Sequence, residues 1–132
     1  MMNKYLTLIF VVCISCRSID KSKVMNGLNS KDTDEVIVAA YEAGERRDTI
    51  FIKQLMYYLN DPRVTHILKH KGMSVFYIKT GALYKIHNIK PPTRSNYKID
   101  SLVLQYWINK YPQYYVPYML KSLNTLSGDF IY

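Results

Sequence analysis

His66 and His70 are the pair in this chain whose spacing most resembles chemistry. Four residues apart, they share one face if their segment is helical, and two imidazoles on one face can begin a divalent-metal site. The pattern stops there. No glutamate completes the His-Glu-x-x-His arrangement that supplies a general base. His87 is distant in sequence, and Lys69 and Lys71 would repel a cation. Carboxylates are no better placed. After Asp48 only Asp61, Asp100 and Asp129 remain, and turn and cap roles account for Asp61 and Asp100. There is no phosphate loop, nucleophile elbow or dinucleotide fingerprint. The expectation is a protein with no metal, no cofactor and no catalytic residues, one that binds rather than catalyses.

What the sequence does concentrate is charge. The formal net charge is +8 over 132 residues. Between Asp32 and Asp48 acids dominate, with only Arg46 and Arg47 against them. From Arg63 to Lys98 every charged residue is basic: Arg63, Lys69, Lys71, Lys79, Lys85, Lys90, Arg94 and Lys98. One-signed charge over such a length creates a positive potential at the surface. Lys69, Lys71, Lys79 and Lys85 are therefore the candidate partner-binding residues, for a protein with an acidic surface or, alternatively, for anionic lipid or glycan. The plainer reading is a solvated face that keeps the protein in solution. The same segment is rich in tyrosine, which could stack nucleic-acid bases, but packing with the hydroxyl turned to water explains those rings more simply.

The N-terminus argues for export, and so against nucleic acid. Lys4 gives a positive start, and Tyr5 to Ile14 form an apolar run broken only by Thr7. Ten residues are too few to span a bilayer, which takes about 20, but they fit the apolar core of a secretory signal. The run ends in Cys13-Ile14-Ser15-Cys16. Ser15-Cys16 resembles the lipobox of bacterial lipoproteins, with Cys13 where that family usually has an aliphatic residue. The resemblance implies cleavage before Cys16, lipid on its thiol and an envelope location. Cys13, preceded by two valines, is the poorer alternative. This divides the chain into a signal peptide, 1–15, a lipidated Cys16 with a polar tether, 16–31, and a domain without cysteine, 32–132, expected to fold by itself from near Ser30.

That domain reads as helical. The first helix runs from Thr33 to Gly44, capped by Asp32 or Thr33, with Val36, Ala39, Ala40 and Ala43 on a small apolar stripe. The second runs from Asp48 to Leu59 on Phe51, Leu55 and Leu59. A short helix with Val64, Ile67 and Leu68 follows the Asn60-Asp61-Pro62 turn. The third, capped by Ser74, runs to Asn88 on Val75, Ile78, Ala82 and Ile86, with Leu83 beside them. Gly81 within it predicts the close approach of another helix. The fourth runs from Asp100 to Tyr111 with Leu102, Val103, Tyr106 and Trp107 inward, and a last short helix covers Val116 to Leu126. Leu55, Leu83 and Trp107 are the expected centre of the core.

Successive antiparallel helices give an all-α, alpha–alpha layered fold. The Leu55…Leu59 stripe, the turn at Asn60–Val64 and the Ala82-Leu83…Ile86 stripe resemble HEAT or armadillo-type repeats. Lys71–Val75, Pro91-Pro92 and Lys98–Ser101 resemble small HEAT-like lipoproteins of Bacteroidetes-type bacteria. The resemblance implies a scaffold that binds proteins, although only two helical pairs are present where solenoids usually stack three or more repeats.

Overall fold

The structure, a computed structural model, describes residues 21–119. Cys16 with its signal segment, and the expected helix beyond Met119, lie outside them. The described residues form an all-α protein of five helices: α1 (residues 21–28), α2 (Thr33–Arg46), α3 (Ile52–Met56), α4 (Val75–Ile86) and α5 (Ser101–Lys110). Two 3₁₀ turns, Thr49–Phe51 and Leu68–His70, and two isolated β-bridges complete the connections. Among the described residues no helix is long and apolar enough to cross a membrane.

The helix starts are written in the caps. Asp32 accepts from the N–H groups of Asp34 and Glu35 at 2.8 and 3.0 Å, Ser74 from Tyr77 at 3.1 Å, and Asp100 from Leu102 and Val103 at 2.9 and 3.1 Å. Each side chain satisfies first-turn donors that have no partner inside their own helix. At α4 the cap is reinforced from outside: Arg63 and Asp61 offer backbone carbonyls to the N–H groups of Val75 and Phe76 at 2.9 and 3.0 Å.

α2 and α4 form the central pair. Ala40, Ala43 and Gly44 let the backbones close in, and a Cβ on Gly44 would stand 2.9 Å from the Ala82 Cα. The close approach thus falls on Gly44, and not on Gly81 as the sequence predicted. A Cβ on Gly81 would meet only an Arg94 guanidinium nitrogen, at an ordinary 3.5 Å. Leu55, Leu83 and Trp107 are fully buried, as expected.

Four expectations are corrected. The supposed tether contains α1, which packs on α2 through Val24 and Leu28. A Cβ on Gly27 would lie 2.7 Å from the Ala39 Cβ. A domain cut at Ser30 would therefore lose part of its core. The second helix ends at Met56, not Leu59, because its last groups find other partners: the Tyr57 carbonyl accepts from Lys79 Nζ at 2.6 Å, and the Tyr58 N–H donates to the Val116 carbonyl at 3.0 Å. Tyr58 then turns the chain at a left-handed φ of 54°. Of the supposed helix at Val64, Ile67 and Leu68 only a 3₁₀ turn exists, and Leu68 is 90% exposed. On α5, Val103 and Trp107 face inward, whereas Leu102 is 82% exposed and Tyr106 lies half in solvent.

Candidate functional site

The basic stretch does not form one face. Lys79 follows Val75 by four residues on α4 and precedes Leu83 by four, so it lies on the helix's buried side and is only 2% exposed. Burial pulls its pKa down to about 8, against the opposing pull of nearby Asp61. Asp61 is itself 1% exposed. It receives the Arg63 backbone N–H at 3.0 Å and the Arg63 guanidinium through Nε and, at 2.8 Å, Nη2. That pairing holds the Arg63 pKa above its usual value. Arg63 Nη1 also donates to the Lys31 carbonyl at 2.8 Å, and the guanidinium lies 5.2 Å from the Tyr118 ring centroid. Asn60 clasps the backbone of Tyr118 from the other side, accepting its N–H at 2.6 Å. Lys79 and Arg63 thus hold the fold together around one buried carboxylate and the C-terminal tail. Lys79 is withdrawn from the expected partner-binding set, since no partner can reach it.

The remaining three candidates are exposed or half-exposed and separate from that corner. Lys71 is exposed in solvent. Lys69 and Lys85 place their ammonium groups 4.5 and 4.9 Å from the Tyr41 ring centroid, and Lys85 also pairs with Glu45. Lys85 holds the Glu45 carboxyl below its usual pKa.

Tyr41 lines a pocket of about 410 Å³ between α2 and α4, roofed by the 3₁₀ turn at Leu68–His70 and the segment after Pro91. Its wall is largely apolar: Tyr41, Met73, Tyr77, Ile78, Gly81 and Pro91. The polar groups that reach it are basic. His70, 5% exposed, meets Tyr41 in a tilted ring contact at 4.9 Å between centroids. Burial, and then the charge of Lys69, lowers its pKa and so favours the neutral ring. Arg94 lies across Tyr77, 4.4 Å from the ring centroid, and near Tyr84 at 5.4 Å. Its Nη2 donates to the Tyr77 carbonyl at 3.2 Å and the Thr80 hydroxyl at 3.3 Å, while its buried Nε has no partner. No carboxylate is among the described residues that line the pocket. An apolar chamber with a few converging polar groups is the usual form of a small-molecule site.

A wider groove, about 790 Å³, lies between α1 and α2, but its acids are already engaged: Asp34 by Thr65, Glu35 by Ser30 and Glu42 by Arg46.

The histidines do not combine. The segment before Leu68 is not helical, so His66 and His70 do not share a helix face, and His87 is tied to Leu83 and Tyr111 on the far side of α4. Among the described residues no group of three or more metal-ligating side chains is assembled. The sequence reading passed over Tyr41, His70 as a lone group, Tyr77 and Arg94. Arg94 carried a signal, being a cation placed after Pro91-Pro92 where the chain must turn back along α4. No family model, curated protein or solved structure matches the chain.

Proposed function

We propose that this protein is a lipid-anchored, non-catalytic interaction module of the bacterial envelope, with HEAT-like layering of its helix pairs, that recognises an acidic protein partner. Export and anchoring are supported by Ser15-Cys16 after an apolar run too short to span. The observation that carries the recognition step is the pair Lys69 and Lys85 lining a pocket without acids, with exposed Lys71 two residues on from Lys69, on a molecule whose cations at Arg63 and Lys79 are consumed internally. Such charge speeds encounter with an acidic surface more than it deepens affinity. The test is made in the native host. Mass spectrometry of the mature N-terminus is expected to find a lipidated peptide beginning at Cys16, and crosslinking to recover one acidic envelope protein. Reversing Lys69, Lys71 and Lys85 together is expected to slow that association and to remove its salt dependence. A soluble protein with an unmodified N-terminus, or capture unchanged by the reversal, overturns the reading.

A second reading rests on the exposure of Lys71, Lys90 and Lys98. They suit an anionic membrane surface, and this reading requires salt-sensitive binding to anionic vesicles in the absence of the acyl chains.

A further inference from the structure

We infer that the pocket between α2 and α4 binds a small amphipathic oxyanion, a carboxylate or phosphate monoester carried on an apolar or aromatic body, with Arg94 and His70 at the charged end and Tyr41, Met73 and Tyr77 along the body. This inference goes beyond partner recognition and does not depend on it.

Three observations converge. The first is an incomplete set of partners. A half-buried guanidinium is costly without a close counter-charge, and Arg94 makes no ion pair among the described residues, is attracted by Asp100 only from beyond ion-pair distance, and has no hydrogen bond at its buried Nε. What Nη2 does contact is a carbonyl and a hydroxyl of α4, which hold the guanidinium over Tyr77 without neutralising it. The second is His70. It is a largely buried residue of the pocket wall whose ring meets Tyr41, so solubility does not account for its place. A neutral imidazole in that position can donate one N–H to an oxyanion without adding a second full charge. The third is the shape. At about 410 Å³ the chamber falls within the usual range for small-ligand sites, about 300–1,000 Å³. Gly81 keeps it open, since a side chain there would project toward Arg94 and meet nothing else within 4 Å. A bare inorganic ion would leave the apolar wall unused, and an uncharged hydrophobe would leave Arg94 unpaired.

The full chain in zwitterionic vesicles provides the test, with the photoprobe para-benzoylbenzoate and its neutral amide. Benzophenones insert readily at methionine, and Met73 lines the pocket. The carboxylate is expected to label the peptide carrying Met73 at least ten times more efficiently than the amide does. Phenylpropionate and phenyl phosphate should both compete, and the stronger competitor distinguishes a carboxylate ligand from a phosphate one. Arg94→Gln is expected to reduce labelling about ten-fold, and Gly81→Leu to abolish it by filling the chamber, with helical circular dichroism retained in both. Equal labelling by amide and carboxylate, label confined to other peptides, or labelling indifferent to Arg94→Gln in the folded variant overturns the inference. Because the probes are small and the vesicles carry no net charge, these outcomes are independent of whether an envelope partner is ever captured.

Discussion

Two regions of this molecule draw on the same one-signed stretch of sequence and use it in opposite ways. At the Asp61 corner, Arg63 and Lys79 are turned inward, shared out among one buried carboxylate and the carbonyls of Lys31 and Tyr57. At the Tyr41–Tyr77 pocket, Lys69, Lys85 and Arg94 lie over aromatic rings, and no acid lines the space they surround. The first arrangement uses cations as internal connectors. The second leaves Lys69 and Arg94 without an acid partner among the described residues, while Lys85 pairs with Glu45 at the rim. What separates the two is the location of the carboxylates: Asp61 is buried inside its corner, whereas Glu45 meets Lys85 outside the pocket lining.

That contrast can be broken most forcefully at Asp61. Asp61→Ala leaves two buried or half-buried cations without their counter-ion, and is expected to cost about 3–5 kcal/mol in urea unfolding. A loss below about 1 kcal/mol would mean the carbonyls suffice and the corner is no different in kind from the pocket.

Next in size is a pH effect. Lys79 has a folded pKa of about 8, below its usual 10.5, so above pH 8 the unfolded chain binds more protons than the folded one. Stability must then rise with pH from about 8 toward about 10, by about 3 kcal/mol in all if the full shift is expressed. Lys79→Met should flatten that rise, and chemical unfolding across the window measures it. Equal slopes in both proteins would place the ammonium in contact with water.

Smaller again is Arg94→Gln, expected to cost about 1 kcal/mol, because its two hydrogen bonds go to groups that α4 already satisfies. A cost comparable to that of Asp61→Ala would make Arg94 another internal connector. Smallest is charge reversal at Lys69, Lys71 and Lys85, which should leave the thermal melt where it is, since exposed charges contribute little to stability. A shifted melt would show that the pocket rim, too, holds the fold together.

Much of the helical plan was legible because it is local. Asp32, Ser74 and Asp100 announce their helices, and the Val36, Leu55 and Leu83 stripes follow from spacing alone. Most of the differences are non-local. α3 stops early because Lys79 and Val116, distant in sequence, take its backbone groups. α1 hides in a polar stretch where Val24 and Leu28, four apart, are the only pair to signal a face, and Gly27 gains meaning only when Ala39 is seen against it. Lys79 was the most readable of the misses. It stands midway between Val75 and Leu83 on a helical repeat, and position should have outweighed charge. The pocket was least legible, since Tyr41, His70, Tyr77 and Arg94 come from three separate stretches of chain with no shared pattern.

The turn at Tyr58 makes the motion of the segment after α5 measurable. Backbone amides inside a helix are protected by that helix, so their hydrogen exchange reports its own opening or that of the whole fold. The Tyr58 amide is protected by the carbonyl of Val116 instead, in the segment that follows α5. Lifting the tail alone would expose this proton while Leu55 and Met56 stay shielded. Its exchange rate, read against theirs, is a built-in clock for how often the C-terminal strap leaves the body of the protein.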